Sequence, residues 1–75
     1  MNKLEERVFA ACAWNQANDS NGEFLELWAE YIREELTIVL LIDIVNNATM
    51  QAYEDLYTSG NIADANEVKK YIVEV

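Results

Sequence analysis

The sequence has 75 residues, of which 52% are hydrophobic, with no histidine, one cysteine and a formal charge of −9. This length is that of one small domain, which spans residues 1–75. The single cysteine excludes a disulfide within the chain, and the lack of imidazole argues against a metal cofactor. The acidic charge argues against direct contact with nucleic acids or anionic membranes, because both attract basic surfaces.

No segment of the sequence has the pattern of a targeting or membrane signal. The longest apolar run, residues 38–42, has five residues, whereas about 20 are needed to cross a bilayer. The first residues are charged and lead into an amphipathic pattern rather than into the apolar core of a signal peptide. A single free thiol suits a reducing compartment, so we expect a cytoplasmic protein without membrane contact.

The first predicted helix covers about residues 3–17. Asn2, followed three residues later by Glu5, has the spacing of a capping box and predicts where this helix begins. Cys12 lies on the apolar stripe, and we interpret it as a small buried hydrophobic residue. The stripe comprises Leu4, Val8, Ala11, Cys12 and Asn15.

The second predicted helix carries the most informative pattern of the chain, four glutamates at spacings of three, four and four residues. Ser20 and Glu23 have capping-box spacing, which predicts a start at residue 21 or 22 and a helix that continues to at least Leu36. Such spacing places the glutamates on one helix face and apolar residues on the opposite face. The acidic face comprises Glu23, Glu26, Glu30 and Glu34, and the apolar face comprises Leu25, Trp28, Ala29, Ile32 and Leu36.

Three large side chains, Phe24, Leu27 and Tyr31, flank the acidic face. Aromatic residues beside charges are common at protein interfaces, where the aromatics anchor and the charges orient. We therefore predict that these three residues and the four glutamates bind a larger protein through its basic surface. Two alternatives stay open: the glutamates form an ordinary solvated face, and the aromatic residues pack against the first or third helix.

Residues 37–45 are rich in β-branched side chains and fit either a helix or a short strand. No turn residue precedes them, which favours a continuous helix that bends near Asn46–Asn47. Because the segment is apolar nearly all round, we predict that it is buried at a subunit interface, where Asp43 would need a partner or a place on the rim. The predicted interface residues are Ile38, Leu41, Ile42 and Val45.

The last predicted helix runs from Ile62 to about Val73, after a turn marked by Gly60. Asn61 is the expected N-cap, and the lysines near the other end have the sign that a helix C-terminus favours. The apolar stripe comprises Ile62, Ala65, Val68, Ile72 and Val75.

Together these elements predict an all-α fold, a small bundle of three to four helices joined as helical hairpins. A chain of this length buries only about 60% of its unfolded surface, so we expect a homodimer to complete the core. The alternative is an α+β fold with a short strand at residues 37–45.

The reactive side chains argue against an enzyme. Adjacent carboxylates such as Glu34–Glu35 point about 100° apart on a helix and do not converge on one substrate. Cys12 and the serines have no histidine to activate them. The segment 19–23 fails the register of a calcium loop, because Ala17 and Trp28 occupy the positions that require carboxylates.

The charge, the size and the missing catalytic groups predict a small interaction protein that inhibits or modulates a larger partner by masking its basic surface. The extreme form of this class is a nucleic-acid mimic, in which carboxylates replace phosphates. Small accessory proteins of phages and mobile elements often have these properties. The alternative function is a structural or assembly subunit that self-associates through residues 37–45.

Overall fold

The computed structural model describes residues 1–74, which form four α-helices and one short 3₁₀ turn without any β-strand. The prediction of an all-α fold is confirmed, and residues 37–45 form no strand. The elements are α1 (Lys3–Asn18), α2 (Phe24–Ile32), α3 (Ile38–Thr58), α4 (Ile62–Val68) and the 3₁₀ turn (Lys69–Tyr71).

Helix α1 begins with the predicted capping box. The Asn2 side chain accepts a hydrogen bond from the Glu5 backbone N–H at 2.8 Å, and the Glu5 carboxylate accepts one from the Asn2 N–H at 3.1 Å. The predicted stripe is also confirmed, since its central residues are buried and Leu4 is half-buried. The buried members are Val8, Ala11, Cys12 and Asn15.

Helix α2 begins differently from the prediction. The capping box of Ser20 and Glu23 is wrong, because Glu23 is the N-cap and makes no side-chain cap hydrogen bond. Instead, the Gln16 side-chain oxygen in α1 accepts hydrogen bonds from the N–H groups of Phe24 at 3.0 Å and Leu25 at 3.4 Å. Two of the free N–H groups at the start of α2 are thus satisfied by a neighbouring helix, which no local sequence signal indicates.

The predicted continuation of α2 to Leu36 and beyond is wrong as well. The helix ends at Ile32, and a turn follows in which the Glu34 N–H donates to Tyr31 O at 3.0 Å and the Glu35 N–H donates to Glu30 O at 2.8 Å. These two bonds define a Schellman motif, whose second residue past the helix takes a left-handed conformation. That residue is Glu34, with φ of 63°.

We expect Glu34→Gly to stabilise the protein by about 0.5–1 kcal/mol, because glycine adopts positive φ without the steric cost of a Cβ atom. Thermal unfolding followed by circular dichroism measures the gain. Glu34→Ala keeps the Cβ atom and should give no gain, so it separates the backbone effect from loss of the charge. Gly60 is the internal control: it occupies the same position after α3 with φ of 87°, and Gly60→Ala should cost about 1 kcal/mol.

Helix α3 runs without interruption from Ile38 to Thr58, so the helix does not break at Asn46–Asn47, where a bend or break was predicted. The apolar residues of α2 and those of α3 do not lie on one continuous helical face, as the sequence indicates. The turn at residues 33–37 between the two helices accounts for this. Thr37 then caps α3 by accepting a hydrogen bond from the Leu40 N–H at 3.2 Å. Asn46 is accommodated inside the helix because its side chain bonds to the C-terminal segment instead of to its own backbone.

The core lies where α1 crosses α3, and α2 covers one side of it. The buried apolar side chains of its main cluster come from α1, α3 and the C-terminal segment. They are Val8, Ala11, Cys12, Leu41, Ile42, Val45 and Val73.

One polar pair is buried among these residues: the Asn15 amide donates to the Thr49 hydroxyl at 2.9 Å and to the Ala11 carbonyl at 2.8 Å. Thr49 in turn donates to the Val45 carbonyl at 2.8 Å, so the pair is satisfied, as buried polar groups require.

The last predicted helix is shorter than expected, and Val75 of its predicted stripe lies outside the described residues. Helix α4 ends at Val68, and Asn61 makes no side-chain cap bond at its start. Ala65 and Val68 of the stripe are buried as predicted, whereas Ile62 is exposed. After the 3₁₀ turn the backbone is extended at Ile72.

Asn46 makes the main contact with this extended C-terminal segment, residues 72–74. The Asn46 side chain accepts a hydrogen bond from the Val73 N–H at 2.9 Å and donates one to the Val73 carbonyl at 2.8 Å. The Val73 side chain enters the core, and the Tyr71 ring stacks on Trp14 with centroids 5.3 Å apart. The segment therefore closes the cleft between α1 and α3.

Candidate interaction surfaces

The four predicted partner-binding glutamates do not form one helical face. Glu23 precedes α2, Glu26 and Glu30 lie within it, and Glu34 lies in the turn that follows it. Glu30 is also half-buried, whereas the other three are exposed. The prediction of a single acidic helix face is wrong because it required a helix that continued to Leu36. Whether these glutamates bind a partner remains a prediction.

Arg33 partly neutralises this acidic region. Its guanidinium lies 2.9 Å from the Glu35 carboxylate and 3.2 Å from the Glu26 carboxylate. These hydrogen bonds raise the pKa of Arg33, with Glu35 contributing most, and they lower the pKa of Glu35. All three side chains are about half exposed or more, so the pairs contribute little to stability. Their consequence is that Glu26 is not a free charge.

The three large side chains predicted to flank the acidic face point inwards. Phe24, Leu27 and Tyr31 are half-buried and pack against the core, which is the packing alternative left open above. Leu25 and Ile32, which were predicted to face inwards, are instead 45% and 57% exposed. A helix of nine residues gains most from burying its largest side chains, and the aromatic side of α2 offers more area than the aliphatic side.

Tyr31 has a specific polar contact in this packed arrangement. Its hydroxyl donates a hydrogen bond to the Glu5 carboxylate at 2.9 Å, which joins α2 to the first turn of α1. The pKa of Glu5 is lowered, chiefly by the hydrogen bond from the Asn2 N–H and then by Tyr31. The pKa of Tyr31 is raised, because a phenolate would lose this bond and face a carboxylate. The contact gives Tyr31 a structural role within the chain.

The predicted oligomer interface contains residues that the single chain buries. Leu41, Ile42 and Val45 belong to the core and have almost no exposed surface, and Ile38 is half-buried. They therefore have little surface to present to a second subunit. Self-association remains a prediction, and along this part of α3 it would have to involve the exposed residues between them.

Those exposed residues define what we call the α3 outer face. Val39 is 69% exposed, Leu40 53% and Ile44 37%, and the exposed Asp43 lies among them. Val39, Leu40 and Asp43 also line an open cleft of about 400 Å³, together with Ile42 and Asn46. The sequence itself contains a signal for this face. Five consecutive apolar residues, 38–42, are more than one buried side of a helix can hold.

Cys12, the single cysteine of the sequence, lies in the core. Burial raises the pKa of the Cys12 thiol to about 11, so it is protonated at neutral pH, and its predicted role as a buried hydrophobic residue is confirmed. Within residues 1–74, no three His, Cys, Asp or Glu side chains lie close enough to share a metal ion. In the same residues, no helix combines the length and the hydrophobicity that a membrane span needs.

The exposed features of residues 1–74 include an acidic surface and the apolar α3 outer face. No protein-family model matches the chain, and neither a curated protein nor a solved structure matches it.

Proposed function

We propose that this protein is a non-catalytic interaction module that binds a larger protein and masks a basic surface on it. The observation that carries the proposal is the imbalance of charge, fourteen acidic residues against five basic ones. A negative surface of this kind speeds encounters with basic partners and suppresses encounters with acidic ones.

The contacts of the basic residues strengthen this proposal, because four of the five are already engaged within the chain. Arg33 pairs with Glu26 and Glu35, and Lys70 pairs with Glu67. The Lys69 ammonium lies over the Tyr53 ring, 5.2 Å from its centroid, and Arg7 donates to the Ile72 carbonyl at 3.5 Å. These contacts leave the net charge unchanged, but they hold the cationic groups against this chain's own surface, where they are less available to an acidic partner.

The nucleic-acid-mimic form of the proposal has less support than the general form. It relied on a regular row of glutamates along one helix, and only Glu26 and Glu30 keep that spacing inside α2. A dispersed acidic surface matches a basic protein surface without copying the geometry of a phosphate backbone.

The test is capture of a partner from a lysate of the producing cell at about 0.1 M and about 1 M salt, where the screening length falls from about 10 Å to about 3 Å. We expect a basic partner that is retained at low salt and released at high salt. Neutralising the α2 region with Glu23→Gln, Glu26→Gln and Glu30→Gln should weaken capture about fivefold or more.

A second variant controls for net charge alone. Glu54→Gln, Asp64→Asn and Glu67→Gln remove the same number of charges from the last turns of α3 and from α4, outside the α2 region. If both triple variants weaken capture equally, net charge matters but the α2 region does not. Capture that resists high salt would refute the proposal.

That last outcome would favour the second candidate, an assembly subunit that associates through apolar contacts. The exposed apolar residues of the α3 outer face are the observation in its favour. Contacts of this type respond weakly to ionic strength, so the same experiment separates the two functions.

A further inference from the structure

We propose that the α3 outer face is the docking site, and that it receives a partner segment whose apolar side chains surround one lysine or arginine. The inference rests on the proposed function and deepens it: the acidic surface, including the α2 region, attracts the basic partner, and the α3 outer face is where a segment of that partner docks.

The first reason is an excess of apolar side chains at the start of α3. The core uses Leu41 and Ile42 from this stretch, while Val39 and Leu40 remain in solvent. Folding of the single chain does not require either residue to be apolar. Exposed apolar side chains that adjoin one another on a helix are characteristic of surfaces that bind another protein.

The second reason is the position of Asp43 within this face. It follows Val39 by four residues and Leu40 by three, so the three side chains are neighbours on the helix surface. Within residues 1–74, Asp43 forms no ion pair and no side-chain hydrogen bond. A purely apolar partner would bury this carboxylate without compensation, which is costly. A cation in the partner removes that cost.

The same residue argues against a second copy of this chain as the occupant. A twofold dimer places the same patch against itself, so a patch centred on Asp43 would bring the two Asp43 carboxylates together. Each chain also carries a formal charge of −9, which adds long-range repulsion. Charge complementarity therefore favours a basic, amphipathic segment of another protein.

The probe for the test is a helical peptide of about 18 residues made of leucine and lysine, with the leucines on one face. It is titrated into the isotope-labelled full chain, and the backbone amide signals are followed by NMR. One control peptide has the same composition in scrambled order, and a second has glutamate in place of each lysine. We expect only the amphipathic basic peptide to bind tightly, with shifts concentrated at residues 39–47.

Substitutions in the protein then test the individual contacts. Leu40→Ala should weaken peptide binding about fivefold or more, and Asp43→Asn about threefold. Leu25→Ala is the matched control, since Leu25 is a similarly exposed leucine on α2, and it should leave binding unchanged. Circular dichroism spectra confirm that each variant is folded before binding is measured.

Several results would overturn the inference. They are equal binding of the scrambled or glutamate peptide, shifts centred on α2, or no effect of Leu40→Ala and Asp43→Asn. Concentration-dependent dimerisation that Leu40→Ala abolishes would assign the face to a second copy instead. Salt-labile capture that Leu40→Ala leaves intact overturns this inference alone, whereas the absence of salt-labile capture overturns the proposed function.

Discussion

Leu41→Ala is expected to unfold most of the protein at room temperature. Leu41 is completely buried, in the same core cluster as Val8 and Val45, so truncation removes apolar contacts and leaves a cavity. Substitutions of this kind cost about 3–5 kcal/mol. A domain of this size rarely has more than about 3–5 kcal/mol of stability in total. Urea unfolding followed by circular dichroism measures the loss.

The preceding residue supplies the control for this experiment. Leu40 is chemically identical and adjacent, but it belongs to the exposed α3 outer face. Leu40→Ala is therefore expected to change the free energy of unfolding by no more than about 0.5 kcal/mol. Similar losses at both positions would mean that the two faces of α3 are buried alike, as in a subunit interface that encloses the helix.

Asn46→Asp is expected to have the second largest effect, a loss of about 2–4 kcal/mol at neutral pH. The change keeps the shape of the side chain and its ability to accept the hydrogen bond from the Val73 N–H. It removes the donor that faces the Val73 carbonyl at 2.8 Å and brings a negative charge there instead. The C-terminal segment should then detach from α3, which would open one side of the core.

This loss should depend on pH in a defined direction. The ionised carboxylate faces a carbonyl oxygen, so folding raises the pKa of the introduced group above its unfolded value of about 3.9. The destabilisation relative to the unsubstituted protein is therefore smallest below about pH 4 and grows as the pH rises through the folded-state pKa. Urea unfolding at about pH 3 and about pH 7 compares the two conditions.

Asn47→Asp is the matched control, because Asn47 is the next residue of α3 and is exposed. It introduces the same charge into the same helix and should change stability by about 0.5 kcal/mol or less. If Asn47→Asp proves as costly as Asn46→Asp, added negative charge is the cause, and the contact with Val73 is not.

The acidic α2 region shows why part of the candidate surface could not be predicted. The glutamate spacing is regular along the sequence, but it describes one face only if the helix is continuous. The left-handed Glu34 interrupts that helix, and glutamate is not a residue that indicates such a conformation. At Gly60, where the same motif contains glycine, the turn was predicted correctly.

The sequence also could not predict which side of α2 faces the core. Either of two pairs could form the buried side, since both are apolar and have helical spacing. One pair is Phe24 and Tyr31, and the other is Leu25 and Ile32. The choice depends on which side fits against α1, where Trp28 meets Phe9 with ring centroids 5.2 Å apart. Sequence periodicity measures the contrast between two faces and cannot rank two apolar sides of one helix.

Local patterns along the chain were sufficient for the helical class, the capping box of α1, the buried stripe that contains Cys12, and the acidic charge that motivates the proposed function. These features depend on residues within about one or two turns of each other, or on composition alone. Three features were visible only in the folded structure. They are the cap that Gln16 provides for α2, the hydrogen bonds between Asn46 and Val73, and the difference in burial between Leu40 and Leu41. Each depends on contacts between residues far apart in sequence or on different helices, and these contacts exist only once the helices have packed.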